Sequence, residues 1–148
     1  MTTADAKDRF TFFHPLRVRW AECDAQGIVF NVNYFLYFDV AMTEYMRALG
    51  VSFSGDKQLE FYTVSANADY HGSAVFDDEL EVGVRCERLG KKSLSIVYGI
   101  FRGNEHLTSG TLVYVHAEPG TKNTSPLPSW FIDRLTAFEK IAPERKPQ

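Results

Sequence analysis

Two hydrophobic periods alternate along this chain. Leu80, Val82, Val84 and Cys86 alternate with Glu81, Gly83, Arg85 and Glu87, the period of a strand with one dry and one wet face. From Val32 to Leu49 the period becomes helical, with Tyr34, Phe38, Met42, Tyr45 and Leu49 along one stripe and Gly50 at the stop position. Phe35, Tyr37, Val40 and Met46 lie off that stripe, which leaves Asp39, Thr43, Glu44 and Arg47 as the solvent contacts. A helix this apolar calls for a sheet wrapped around it.

Residues before about Phe10 read as a polar, frayed lead. Phe12 to Trp20 reads as a first strand, with Leu16, Val18 and Trp20 on one face and Arg17 and Arg19 on the other. After a loop with Gly55 and Asp56, strands joined by short turns run to about His116. Gly90-Lys91-Lys92 marks a hairpin into Ser93 to Phe101, and Arg102-Gly103-Asn104-Glu105 marks another into His106 to His116. Pro119-Gly120 opens a polar loop ending at Pro126 and Pro128, after which Ser129 is placed to cap a last helix, about 129–141, carrying Phe131, Leu135 and Phe138. The prediction is one α+β domain over 1–148, its core at about 10–118, with the helix packed on an antiparallel sheet.

Composition narrows the partners. A net charge of −3, with no basic block longer than Lys91-Lys92, argues against a nucleic acid. No apolar stretch reaches the length of a membrane span, and Met1 to Asp8 lacks the apolar core of a signal peptide, so a cytoplasmic protein without a membrane partner is expected. Cys23 and Cys86 fit neither a disulfide framework nor a CxxC motif. His14, His71, His106 and His116 show no paired metal spacing, so no metal site is expected.

The segment Asp24-Ala25-Gln26-Gly27-Ile28-Val29-Phe30-Asn31-Val32-Asn33-Tyr34 carries the candidate chemistry. It puts an acid just before a turn glycine and a helix start, where backbone N–H groups lack intrahelical partners. Such a junction supplies both halves of acyl transfer: a carboxylate to attack or activate water, and donors for the developing oxyanion. The bland alternative is an Asp that only caps a turn. Glu22 either shares the direction of Asp24 as a coupled carboxylate or is a solvated charge. Asp69 is a second candidate carboxylate or a member of a cross-strand pair. Tyr70 and His71 point to opposite faces, so at most one lines a pocket. Cys23 lacks a nearby base, and the aromatic stripe of Tyr34, Phe38 and Tyr45 reads as core before acyl pocket.

With Arg19 and Trp20 upstream of it, this segment resembles the hotdog-fold 4-hydroxybenzoyl-CoA thioesterase and YbgC-type acyl-CoA thioesterase family. The likeness lies in Asp, two residues, Gly, then Asn-Tyr opening the helix. Weaker matches follow in order at Asp69-Tyr70, Asp77-Asp78-Glu79-Leu80 and Lys91-Lys92-Ser93, so the resemblance spans about Phe12 to Ala117. It implies a long antiparallel sheet wrapped around a central helix, and hydrolysis of an acyl-CoA to the free acid and coenzyme A.

On that resemblance Asp24 is the catalytic carboxylate, as nucleophile through an anhydride or as general base. Gly27 provides a turn or a close substrate approach, and backbone N–H groups around Phe30 to Asn33 form the oxyanion site. Tyr34 and Tyr70 line the substrate pocket, while Lys91, Lys92 and Ser93 meet the phosphates of coenzyme A. Asn31 stands where many relatives carry His or Tyr, and is either the helix N-cap or a hydrogen-bonding group for the thioester or water. No dissociable cofactor is required, coenzyme A being part of the substrate. The acyl group is aromatic or a short to medium chain, leaning slightly to aromatic. A homodimer is the minimum, with a homotetramer as an extension. An unpaired edge such as Ser93 to Phe101 or His106 to His116 would otherwise invite aggregation. The alternatives are hydrolysis of acyl groups from acyl carrier protein, or a non-catalytic acyl-CoA-binding scaffold.

Overall fold

A computed structural model describes residues 3–145, with side chains from Ala6 onward. Met1, Thr2 and residues 146–148 of the expected 1–148 domain lie outside the described residues. In chain order the elements are α1 (Thr3–Asp8), β1 (Phe12–Arg17), a short 3₁₀ turn (Trp20–Glu22), α2 (Asn33–Ala48), β2 (Glu60–Tyr70), β3 (Glu79–Leu89), β4 (Ser93–Arg102), β5 (Glu105–Ala117), α3 (Ser129–Phe138) and β6 (Glu144–Arg145). The sheet runs β1-β3-β4-β5-β2, antiparallel throughout, with β6 added in parallel beside β3. Both expected hairpins are present.

The core lies between α2 and the inner face of the sheet. Leu80, Val82, Val84 and Cys86 of β3 are buried with Leu94, Ile96, Tyr98 and Ile100 of β4. Phe38 of α2 stacks on Tyr98 at 4.6 Å between ring centroids. It lies so close to β5 that a Cβ on Gly110 would fall 2.5 Å from its ring. Gly50, at φ 82°, stops the helix after Leu49 as the sequence predicts.

The outer side of α2 is less polar than the sequence suggests. Tyr37 and Met46 are buried although off the stripe, but Leu36 and Val40, with Val32 just ahead of the helix, are exposed. β2 is one open edge of the sheet, and β1 is the other. This corrects the expected edge: β4 and β5 each have neighbours on both sides, so neither is free.

Other expectations change for physical reasons. The N-terminal residues are not a frayed lead over their described part. Lys7 Nζ donates to Glu81 Oε1 at 2.9 Å and to the Gly103 carbonyl at 2.7 Å, docking α1 on the sheet. Phe10 then covers the outer face of β3 and β4, where its ring occupies the space of side chains at Gly83 and Gly99 and packs on Phe101. Hence Gly83 and Arg85, expected on a wet face, are buried. Trp20 does not continue the face of Leu16 and Val18: the strand ends at Arg17 and Trp20 turns outward, 68% exposed. At the other end Pro128 occupies the N-cap position and Ser129 is already helical. α3 stops at Phe138 because Glu139 turns extended and inward, accepting hydrogen bonds from the Tyr45 hydroxyl and the Cys86 N–H. Burial raises the Glu139 carboxyl above its ordinary value, against the pull of these donors.

Among the described residues no helix is long and apolar enough to cross a membrane. The close approach at Gly110 has a direct consequence. Gly110→Ala is expected to destabilise the protein by about 1–3 kcal/mol, because the Phe38 ring must shift and the Asn67 carbonyl of β2 must give way. Urea unfolding checks this, and an unchanged midpoint would show that the helix has room to move.

Candidate active site

Between β1 and α2 the chain forms a small hairpin. The Asp24 N–H donates to the Ile28 carbonyl at 2.9 Å, and the Gly27 N–H returns to the Asp24 carbonyl at 3.0 Å. Gly27 sits at φ 81°, with open space where a Cβ would stand, so the turn's backbone conformation selects glycine. Asp24 Oδ1 accepts the Gln26 N–H at 2.8 Å, which is the turn-capping role expected of an Asp here. Among the described residues its other oxygen takes no hydrogen bond, and the side chain is half-buried. One oxygen fixes the carboxylate, and the other has no partner among the described residues.

Asp24, Phe30, Asn31, Tyr34, Tyr70 and Gly72 share the lining of a cavity of about 280 Å³. Five of the residues singled out from the sequence therefore meet. A larger groove, about 610 Å³, runs beside Pro15, Leu16 and Gly103, but its charged groups are already paired: Arg17 with Glu79, and Glu81 with Lys7. It offers no free nucleophile or base.

Donor accounting at the helix start narrows the oxyanion site. The Phe30 N–H is held by the Glu22 carbonyl at 3.0 Å. The Asn33, Tyr34 and Phe35 N–H groups turn back to the carbonyls of Phe30, Asn31 and Val32. Among the described residues, the N–H groups of Asn31 and Val32 have no acceptor. Val32, already helical in its dihedrals, occupies the N-cap position without a side-chain cap, so Asn31 is not the N-cap and its side chain is exposed beside the cavity. The Asn33 amide is spent on structure, donating to the Glu22 carbonyl at 2.8 Å.

Two tyrosines fix the far wall. Tyr70 donates its hydroxyl to the Asn31 carbonyl at 2.9 Å, tying β2 to the helix start. The Tyr34 hydroxyl accepts the Ala74 N–H at 3.0 Å, and burial raises its pKa, so the phenol stays neutral. Phe38 and Tyr45 are fully buried core, whereas Tyr34 serves both core and cavity. His71 faces away from Tyr70, with its Nε2 3.0 Å from Ser109 Oγ, as strand alternation requires. Asp69 lies opposite Ser109 in the register, exposed and without an ion pair among the described residues. Burial and the neighbouring Asp24 raise the Cys23 thiol, which disfavours a thiolate. Among the described residues no three metal-ligating side chains cluster.

Glu22 differs from both of its sequence readings, being neither solvated nor coupled to Asp24. It is 6% exposed and accepts from the Arg19 N–H, from Arg19 Nε and Nη2, and from the Tyr37 hydroxyl. Burial works to raise its pKa, but these donors outweigh it and hold the carboxyl below the usual range. The Arg19-to-Glu22 spacing within one turn was the available signal; the Tyr37 contact was not visible before folding.

The basic hairpin stands apart in a single chain. Ser93 pairs with Val115, which pairs with Tyr62, whereas the cavity lies at Tyr70, eight residues further along β2 and about 26 Å away at the strand rise. Lys91 is exposed, and Lys92 Nζ reaches Thr124 Oγ1 at 3.3 Å.

Residues 26–109, more than half of the chain, match the thioesterase superfamily. The chain belongs to the thioesterase superfamily. A putative esterase of Aquifex aeolicus is 36% identical over 93 residues, covering 62% of this chain and 73% of the relative. The acyl-CoA thioesterase YbgC of Haemophilus influenzae is 28% identical over 104 residues, covering 68% and 76%. A thioesterase from Thermus thermophilus, crystallised in complex with coenzyme A and Zn, superposes with a TM-score of 0.77 at 26% identity, over 90% of this chain and 98% of that one. The fold is the hotdog fold, and this thioesterase is a thioester hydrolase. The matched stretch opens at Gln26, so it includes Gly27 and the helix start but stops short of Asp24.

Gly27 gives a test of the hairpin that is free of packing effects. Gly27→Ala is expected to cost about 1–2 kcal/mol, and Gly27→Asn less, because Asn tolerates a positive φ better. Equal costs in thermal unfolding would mean that side-chain volume, not backbone conformation, selects the glycine.

Proposed function

We propose that this thioesterase hydrolyses an acyl-CoA to a free acid and coenzyme A, with Asp24 acting on the carbonyl or on water. The observation that carries the reading is the pairing, in one short segment at one cavity, of an Asp24 oxygen without a partner and the unengaged N–H groups of Asn31 and Val32. Asp24 as nucleophile would form an anhydride and expel the thiolate, after which water releases the acid. As general base it would take a proton from water as the hydroxide attacks. In either route the two N–H groups receive the carbonyl oxygen as it gains charge, aided by the positive end of α2. Neither route calls for a dissociable cofactor.

The rings of Phe30, Tyr34 and Tyr70 around the cavity favour an aromatic or short acyl group over a long chain. The YbgC relative and the coenzyme A complex of the Thermus thermophilus protein support coenzyme A as the carrier. Lys91, Lys92 and Ser93 fit this reading in a homodimer. The open edge of β2 exposes Tyr62 and Val64, and the outer face of α2 exposes Leu36 and Val40. Antiparallel pairing of two β2 edges about a dyad near mid-strand would carry the partner's basic hairpin toward the Asp24 end.

Asp24→Asn is expected to lower the rate of coenzyme A release from benzoyl-CoA and hexanoyl-CoA by about 10²-fold or more, with an unchanged circular dichroism spectrum. A fall of less than about tenfold would refute the catalytic role. The same acyl groups on acyl carrier protein should be released more slowly; faster release would make the carrier protein the substrate. For the assembly, sedimentation equilibrium should give a dimer that Val64→Lys dissociates, and a monomeric wild type would exclude the shared-edge arrangement.

A further inference from the structure

We infer that Glu22 is a positioning residue for this hydrolysis, holding Asp24 and the helix-start N–H groups at a fixed separation. The inference rests on the catalytic reading of Asp24 given above. Asp24 belongs to the near arm of the hairpin and the donors of Asn31 and Val32 follow its far arm; the Asp24 N–H bonds the Ile28 carbonyl beside the turn, and the separation of the two halves is held only if something also ties the arms further from it. Glu22 does so with every acceptor it has. Its backbone carbonyl takes the Phe30 N–H at 3.0 Å and the Asn33 Nδ2 at 2.8 Å, both on the far arm and helix start. Oε1 takes the Arg19 N–H at 2.8 Å and the Tyr37 hydroxyl at 2.9 Å, and Oε2 takes Arg19 Nε and Nη2.

The side chain thus anchors Glu22 to the first turns of α2 through Tyr37, and the carbonyl of the same residue grips the segment that leads into Asn31. Asp24 lies two residues on. A buried carboxylate is a poor device for stability alone, since desolvation offsets much of what its partners return. It is a good device for fixing geometry, because its four donors come from defined directions. In catalysis a displacement of about 1 Å costs on the order of 10² in rate, so a clamp between carboxylate and oxyanion donors acts on turnover more than on substrate affinity.

The test uses the full-length protein with benzoyl-CoA. Glu22→Gln keeps the shape of the side chain but loses the charge that faces Arg19, and Tyr37→Phe removes one donor. Glu22→Gln is expected to lower kcat by about 10- to 100-fold with KM within about threefold, and Tyr37→Phe to lower kcat by a smaller factor. In the Asp24→Asn background Glu22→Gln should add almost no further loss, because the clamp acts through the group already removed. A Glu22→Gln enzyme within about twofold of wild-type kcat overturns the inference. So does a loss repeated in full on top of Asp24→Asn, which marks general damage to the fold. If Glu22→Gln does not fold, Tyr37→Phe carries the same comparison, and wild-type kcat in it overturns the inference. An active Asp24→Asn overturns the catalytic reading and this inference with it, whereas an inactive Asp24→Asn beside a fully active Glu22→Gln overturns the inference alone.

Discussion

The seating of Phe38 against Gly110 and Tyr98 sets where everything else in this thioesterase lies. Only a residue without a side chain lets the α2 axis come this near to β5, and the stacked ring of Tyr98 then fixes its rotation. With the helix sunk into the concave face, its first turn emerges at the β2 edge near Tyr70 and not in free solvent. The helix start, with its donors that point away from any helical partner, becomes the wall of a cavity. The site is therefore a by-product of core packing. Phe38 never touches the cavity, yet it decides that Tyr34, one turn earlier, reaches Ala74 with its hydroxyl.

A helix start that walls a cavity still has to be joined to the Asp24 segment, and the hairpin from Cys23 to Val29 is too short to have a core of its own. Polar contacts do that work instead. Tyr70 holds the Asn31 carbonyl, Asn33 holds the Glu22 carbonyl, and Asp24 holds its own turn through Gln26. Each bond contributes on the order of 1 kcal/mol in net terms. Their value here is directional: the proposed hydrolysis presents a carboxylate oxygen and two N–H groups to one carbonyl carbon and its oxygen, and hydrophobic contacts alone do not set angles.

What could be read from the sequence follows how local each cause is. The strand β3 with its buried face from Leu80 to Cys86, the stop at Gly50 and the two hairpins depend on neighbours in the chain, and each stands where expected. Asp24 and Gly27 were legible for the same reason, as a turn that precedes a helix. The misread parts depend on what crosses from elsewhere. Gly83 and Arg85 looked like a wet face because nothing in β3 announces that Phe10 will cover them. An open edge fell to β2 because the strand order is a matter of crossover, not of periodicity. Glu22 looked like a surface charge, since its burial is set by Tyr37, fifteen positions on along a helix whose rotation the sequence does not reveal.

Asn31 shows how a departure from the family pattern and the geometry fit together. Were the side chain at this position the oxyanion donor, replacing His or Tyr by Asn would change the length and the charge of the group that meets the substrate. In the proposed reaction that task falls to the Asn31 and Val32 backbone instead, and a backbone N–H is present whichever residue occupies the position. Because Val32 takes the N-cap place without a side-chain cap, Asn31 serves the structure through its carbonyl, which accepts from the Tyr70 hydroxyl and the Tyr34 N–H. On the proposed reading, a position whose main chain receives the oxyanion and whose side chain lines the cavity is one where substitution alters what the site admits before it alters how the site reacts.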